Sequence, residues 1–152
     1  MLLLQTQKQQ EEYFNELKRI SIEQIIFGAN YFPMPFNNFV VWRKLTISES
    51  FSMAMCELAS VSIKGNAKIF SYQPQDSLRF HPTQKPVALY KWLLKNYAKP
   101  NDKILDTHSG SGTTAMACID MGFDYVCIEK DKDYYEASVK RINKELIKLK
   151  LF

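Results

Sequence analysis

Histidine and cysteine are scarce in this chain, and each scarcity removes a class of function. The two histidines, His81 and His108, have no further ligands at zinc spacing, so no metal site is expected. The three cysteines, Cys56, Cys118 and Cys127, are odd in number and widely spaced. They read as reduced core residues of a cytoplasmic protein, not as a disulfide framework. No apolar run approaches the roughly 18 residues of a membrane-spanning helix. Met1–Leu4 is too short for the apolar core of a signal peptide. Charge of one sign is not abundant either: the net charge is +4 with a pI near 8.9. That balance is compatible with a polyanionic partner without identifying one.

What is present is ordinary for a globular chain: 46% hydrophobic and 24% charged residues, with ten Phe and eight Tyr. At 152 residues the length suits a single domain, 1–152. A chain of this size buries about 68–70% of its unfolded surface, enough for a real core.

The first half gives mixed signals. Tyr13, Phe14, Leu17 and Ile20 fall on one stripe of a helix over Glu11–Ile20. Gln24–Phe27 and Phe39–Trp42 are short apolar runs that predict buried strands, separated by a loop rich in Gly, Pro and Asn. Ser50–Ser62 fits a helix through Met53, Cys56, Glu57 and Ser60, or a strand over Leu58–Ile63. Ala67–Tyr72 predicts another strand. The second half is more regular. A helix is expected from Pro86 to about Tyr97, a turn at Lys99–Asp102 and a strand at Lys103–Leu105. A helix over Thr113–Met121 closed by Gly122, a strand at Tyr125–Ile128 and a helix from Asp131 follow. Strand, glycine-bearing loop, helix and strand make a βαβ unit, so a parallel sheet is expected.

The sharpest local signal is the run Lys103-Ile-Leu-Asp-Thr-His-Ser-Gly-Ser-Gly-Thr-Thr114, with Glu129 lying 23 residues beyond Asp106. Glycines between strand and helix let the backbone approach a ligand closely, and the helix N-terminus adds polar N–H groups. An acid ending the next strand is placed to accept hydrogen bonds from ribose hydroxyls. The loop has no Walker lysine and is not Gly-x-Gly-x-x-Gly. The carboxylate of Asp106 suits a cationic ligand such as a sulfonium or amine better than a pyrophosphate. The second signal is Arg79-Phe-His-Pro-Thr-Gln-Lys-Pro86, a proline-stiffened polar loop directly before a helix.

These two motifs, in this order and spacing, resemble the permuted β-type DNA N6-adenine and N4-cytosine methyltransferases over most of residues 80–144. The resemblance implies an α/β, Rossmann-like S-adenosylmethionine-dependent methyltransferase fold with a seven-stranded, mostly parallel sheet and helices on both faces. It implies that residues 80–152 bind S-adenosyl-L-methionine and that 1–79 form the target-side part. Asp106 would face the methionine amino group, with His108, Ser109, Gly110, Ser111, Gly112 and Thr113 lining the cofactor. Glu129 would hold the ribose and Lys130 would flank the adenine. His81, Thr83 and Lys85 would close over the methionine end. Double-stranded DNA is the partner so implied.

One family element is not in this chain. Exocyclic amines are poor nucleophiles, and the family orients them with a tetrapeptide resembling Asp-Pro-Pro-Tyr, whose ring stacks on the flipped-out base. Here Pro33, Pro35, Pro74, Pro82, Pro86 and Pro100 include no adjacent pair. No catalytic residue is therefore assigned, and Asn30–Phe36 is only a superficial stand-in. The family's motif would lie before the Glu11–Ile20 helix, so an N-terminal truncation of about 30–50 residues is expected on domain size. Arg43, in Val41-Trp-Arg-Lys44, stands where the family often has an acid. Three roles follow: an amino-methyltransferase completed by a separate piece, an inactive cofactor-binding remnant, or an assembly subunit pairing through an exposed sheet edge. A homodimer through the N-terminal third is expected, anchored by Leu2–Leu4, Tyr13, Phe14, Leu17 and Ile25–Phe27. Lys140, Arg141, Lys144 and Lys148 read as one solvated basic helix face.

Overall fold

The computed structural model describes residues 2–31, 38–74 and 79–149. In chain order the elements are α1 (Leu2–Ile20), β1 (Ile25–Phe27), a 3-10 turn (Ala29–Tyr31), β2 (Asn38–Lys44), β3 (Cys56–Val61) and β4 (Lys68–Tyr72). They continue with α2 (Val87–Tyr97), β5 (Lys103–Asp106), α3 (Thr113–Met121), β6 (Asp124–Cys127) and α4 (Lys132–Leu149). The strands form one sheet of order β1-β3-β2-β4 and a separate pair, β5-β6. The chain divides into two compact units, Met1–Val41 with Glu57–Ile69, and Trp42–Cys56 with Phe70–Phe152.

In the first unit α1 buries Phe14, whose ring meets Tyr13 edge-on at 5.3 Å. Leu17 is half-buried and Ile20 is exposed, so the expected stripe is buried only near its middle. Strand β1 pairs with β3 antiparallel, Ile26 opposite Ser60. Hydrogen bonds from Gly28 N–H to the Leu58 carbonyl (2.9 Å) and from Ser62 N–H to the Gln24 carbonyl (3.0 Å) extend the ladder. This pairing resolves the two readings of Ser50–Ser62 in favour of a strand, from Cys56. It also corrects the expectation of a mostly parallel sheet. Parallel neighbours need a long crossover, usually a helix, and among the described residues no α-helix lies between β1 and β4. The Phe32–Phe36 part of the Asn30–Phe36 loop lies outside the described residues.

The second unit carries the regular half of the sequence. Strands β5 and β6 are parallel in the register Lys103–Asp124 to Asp106–Cys127, with α3 as the crossover. The core cluster is Leu94, Ala117 and Cys118, packed against Val87, Tyr90, Ile104, Phe123 and Tyr125. Pro86, expected as the first helical residue, is instead the N-cap of α2, so the helix begins one residue later, at Val87. Gly122, at φ 74°, closes α3 in the left-handed conformation, where a Cβ would be strained. Two expectations fail here. Cys56 is exposed, not a core residue, because it is the first residue of β3 and follows an exposed loop. Among the described residues, helices do not cover both faces of β5-β6: Leu105, Val126 and Ile128 are 38%, 54% and 51% exposed.

Candidate functional site

The parallel register brings the C-terminal ends of β5 and β6 together and sets their following loops side by side. Ile128 N–H donates to the Asp106 carbonyl (2.8 Å) and Ser109 N–H to the Ile128 carbonyl (3.0 Å), so the glycine loop is laced to the segment after β6. The Glu129 side chain completes the lacing. Its Oε2 accepts from Gly110 N–H at 2.8 Å and its Oε1 from Asp131 N–H at 2.9 Å. Both carboxylate oxygens are thereby held by backbone donors, and each retains a second lone pair.

Asp106 is similarly fixed. One oxygen accepts from His108 N–H at 3.0 Å and the other from the Thr114 hydroxyl on the first turn of α3. Its negative charge is also felt by two cysteines. Burial, and after it the Asp106 charge, pushes the Cys118 thiol up to about 11 and the Cys127 thiol up to about 12. Both stay protonated at neutral pH, so neither is a thiolate nucleophile.

Gly110 and Gly112 have φ of 50° and 72°, a conformation that side chains rarely adopt. A Cβ on Gly110 would lie 3.1 Å from the His81 ring, and one on Gly112 would lie 3.1 Å from Ile142 Cδ1 and 3.2 Å from Ser138 Cβ. The missing side chains thus let His81 approach one glycine and α4 the other. His81 also meets the Tyr134 ring edge-on at 4.3 Å. Its Nδ1 accepts from Thr83 N–H at 3.3 Å, which places the proton of the neutral ring on Nε2. Arg79 Nε donates to the His81 carbonyl at 3.1 Å, and Nη2 donates to the Pro82 carbonyl, stiffening the loop before α2.

Of the residues expected at the site, His81 and Gly110 are in contact. Lys85 joins through its carbonyl, which accepts from the Thr113 hydroxyl at 3.2 Å. Ser109, Gly110, Ser111 and Thr113 are buried, Glu129 is half-buried, and Thr83, His108 and Lys130 are exposed. Sequence reading missed Arg141. Its Nη1 donates to the Ser111 carbonyl at 3.0 Å and to the Thr113 hydroxyl at 3.2 Å, so it does not belong to a uniform solvated stripe. It also missed Tyr134, whose aromatic type next to a charged helix start was the available signal. A hollow of about 270 Å³ between β6 and α4 is lined by Ser109, Gly112, Tyr125, Cys127 and Tyr135, apart from Glu129 and His81. Among the described residues no group of three metal-ligating side chains exists, and no helix is long and apolar enough to cross a membrane.

A strand ending in Asp, a glycine loop tied to the acid after the next strand, and a capping loop before the preceding helix make up a Rossmann-like βαβ half. The chain belongs to the DNA methylase family: the N6_N4_Mtase family model matches residues 5–140. It is 38% identical over 64 residues to the putative methylase YubD of Escherichia coli K12, covering 42% of this chain and 28% of that protein. It is 39% identical over 64 residues to the type II methyltransferase M2.LlaDCHI of Lactococcus lactis subsp. cremoris, covering 42% and 24%. The matched stretch is thus about a quarter of each of those proteins. The M1.HpyAVI–SAM complex superposes with a TM-score of 0.58 at 27% identity, over 69% of this chain and 61% of that one. The cytosine-N4-specific PvuII DNA methyltransferase shares the fold, with a TM-score of 0.53 at 14% identity over 71% and 55%.

Proposed function

We propose that this chain is the S-adenosylmethionine-binding portion of a DNA amino-methyltransferase acting on adenine N6 or cytosine N4. The observation that carries the reading is the Glu129 carboxylate, fixed by Gly110 and Asp131 at the ends of two parallel strands. Two of its roughly four lone-pair sites are used, which leaves capacity for the two ribose hydroxyls of an adenosyl group. Asp106 supplies negative charge for the methionine ammonium or the sulfonium. His81, Thr83 and Lys85 form the closing side, the backbone from His108 to Thr113 the floor, and Lys130 the adenine flank. When bound, the cofactor supplies an electrophilic methyl group on sulfur. The chain's own residues bind and orient it, and the superposition on the M1.HpyAVI–SAM complex supports the assignment.

No adjacent prolines occur in the 152 residues, so in this reading the residues that orient the target amine are supplied in addition to them. Calorimetry with S-adenosylmethionine tests the cofactor step. Glu129→Ala is expected to weaken binding by roughly 1–3 kcal/mol by removing a charged acceptor; equal affinities would remove Glu129 from the site. Labelled-methyl transfer to mixed DNA tests the second step. The chain alone is expected to give background incorporation, and robust labelling would overturn the reading and redirect attention to Asn30–Phe36. The reading includes one methyltransferase domain and a homodimer through the N-terminal third. Phe14 is buried and Ile25–Phe27 are half-buried, so support for the dimer shifts to Ile20 and Ile22, 44% and 98% exposed. A chain lacking residues 1–20 that sediments like the full chain would count against it.

A further inference from the structure

Thr113 is the meeting point of three segments, and its hydrogen bonds are saturated. A hydroxyl has one proton to donate and two lone pairs. Thr113 Oγ1 lies 3.2 Å from the Lys85 carbonyl, 3.2 Å from Arg141 Nη1 and 2.9 Å from Ser111 Oγ. A carbonyl can only accept and a guanidinium can only donate. The Thr113 proton therefore points at Lys85, and Ser111 Oγ must donate. The same Arg141 nitrogen donates to the Ser111 carbonyl at 3.0 Å. That carbonyl precedes the first one in the α3 ladder, which is Gly112, bonded by Met116 N–H at 3.1 Å. Ser111 and Thr113 are 2% and 3% exposed, so an unpaired group there would be costly.

We infer that Arg141 is a positioning residue for the cofactor site: from α4 it fixes the Thr113 hydroxyl so that the loop before α2 and the glycine loop hold one register. It touches no reacting atom in this assignment. It acts through Thr113 and Ser111 on the two segments that carry Lys85 and Gly110. The inference rests on the proposed cofactor reading for its functional consequence, but its structural core is independent of any ligand.

The test has two arms on the full chain. In the ligand-free arm, amide hydrogen exchange is followed for residues 79–86 and 109–113 in wild type, Arg141→Ala and Lys140→Ala. Arg141→Ala is expected to speed exchange in both segments together, while Lys140→Ala, on the exposed side of the same helix, changes neither. Unchanged exchange in 79–86 would overturn the inference whatever the chain binds. In the second arm, S-adenosylmethionine affinity is measured by calorimetry. Arg141→Ala is expected to lose about ten- to a hundredfold, the scale of a charge-assisted hydrogen bond. Arg141→Lys and millimolar guanidinium added to Arg141→Ala are each expected to restore part of it. A loss that neither rescues, accompanied by a lower melting temperature, would make Arg141 a plain stability residue and overturn the positioning role. Absence of binding by wild type would instead sink the cofactor reading and leave the exchange arm to decide.

Discussion

Residues 48–56, which follow β2, and residues 109–118, which follow β5, draw on the same side-chain types. The first segment holds Ser48, Ser50, Ser52, Met53, Met55 and Cys56; the second holds Ser109, Ser111, Thr113, Thr114, Met116 and Cys118. Every position of the first is exposed and every position of the second is buried. Each even contains a hydroxyl pair two residues apart, Ser48–Ser50 at 2.7 Å and Ser111–Thr113 at 2.9 Å. The exposed pair competes with water and contributes little. The buried pair is one link in a chain that runs through Lys85 and Arg141, and each of its members depends on the others. Two glycines of positive φ separate the cases: they let the backbone of 109–112 turn inward against His81 and α4, where composition alone would have left it outside.

Substitutions can break this contrast, and the largest effect is expected at Gly112. Gly112→Ala must place a side chain at φ 72° and 3.1 Å from Ile142, a combination of backbone strain and overpacking of roughly 2–4 kcal/mol. Urea denaturation should show it as a fall in midpoint, and an unchanged midpoint would mean that α4 does not pack on the loop. Thr113→Val comes next. It keeps the shape and removes the hydroxyl with its hydrogen bonds to the Lys85 carbonyl and Arg141, for about 1–3 kcal/mol. Gly122→Ala has the same φ problem as Gly112 but no neighbour within 4 Å. Its cost should stay near 1 kcal/mol, and the difference from Gly112→Ala measures the α4 contact. Ser50→Ala should change stability by no more than about 0.5 kcal/mol. A cost like that of Thr113→Val would erase the distinction between the two segments.

Where local signals were dense, the fold was legible. Thr113–Met121 and its Gly122 cap stand where the glycine positions and apolar spacing place them, because helix ends are set by neighbours in sequence. Ser50–Ser62 was not decidable, since its apolar residues fit two periods. The choice was made by pairing with Ile25–Phe27, some thirty residues away along the chain. The βαβ half held its expected parallel pair, whereas the mostly parallel sheet that the family resemblance implies does not extend to β1 and β3, which pair antiparallel. At the site, Asp106, Gly110 and Glu129 were visible because strand ends and glycines mark them. Arg141 was not: a basic residue among lysines on a helix looks like solvent-facing charge until its partners, 28 and 30 positions earlier, are known.

The tethering of Glu129 has a consequence for timing. A glutamate free in solvent samples many rotamers, and freezing it costs up to about 2 kcal/mol of conformational entropy. With Gly110 and Asp131 holding both oxygens, that search ends when the chain folds, and a ligand bound as proposed would meet a carboxylate already aimed. In the role proposed for it, Glu129 would need no side-chain rearrangement on binding, because its share of the ordering cost is met when the chain folds.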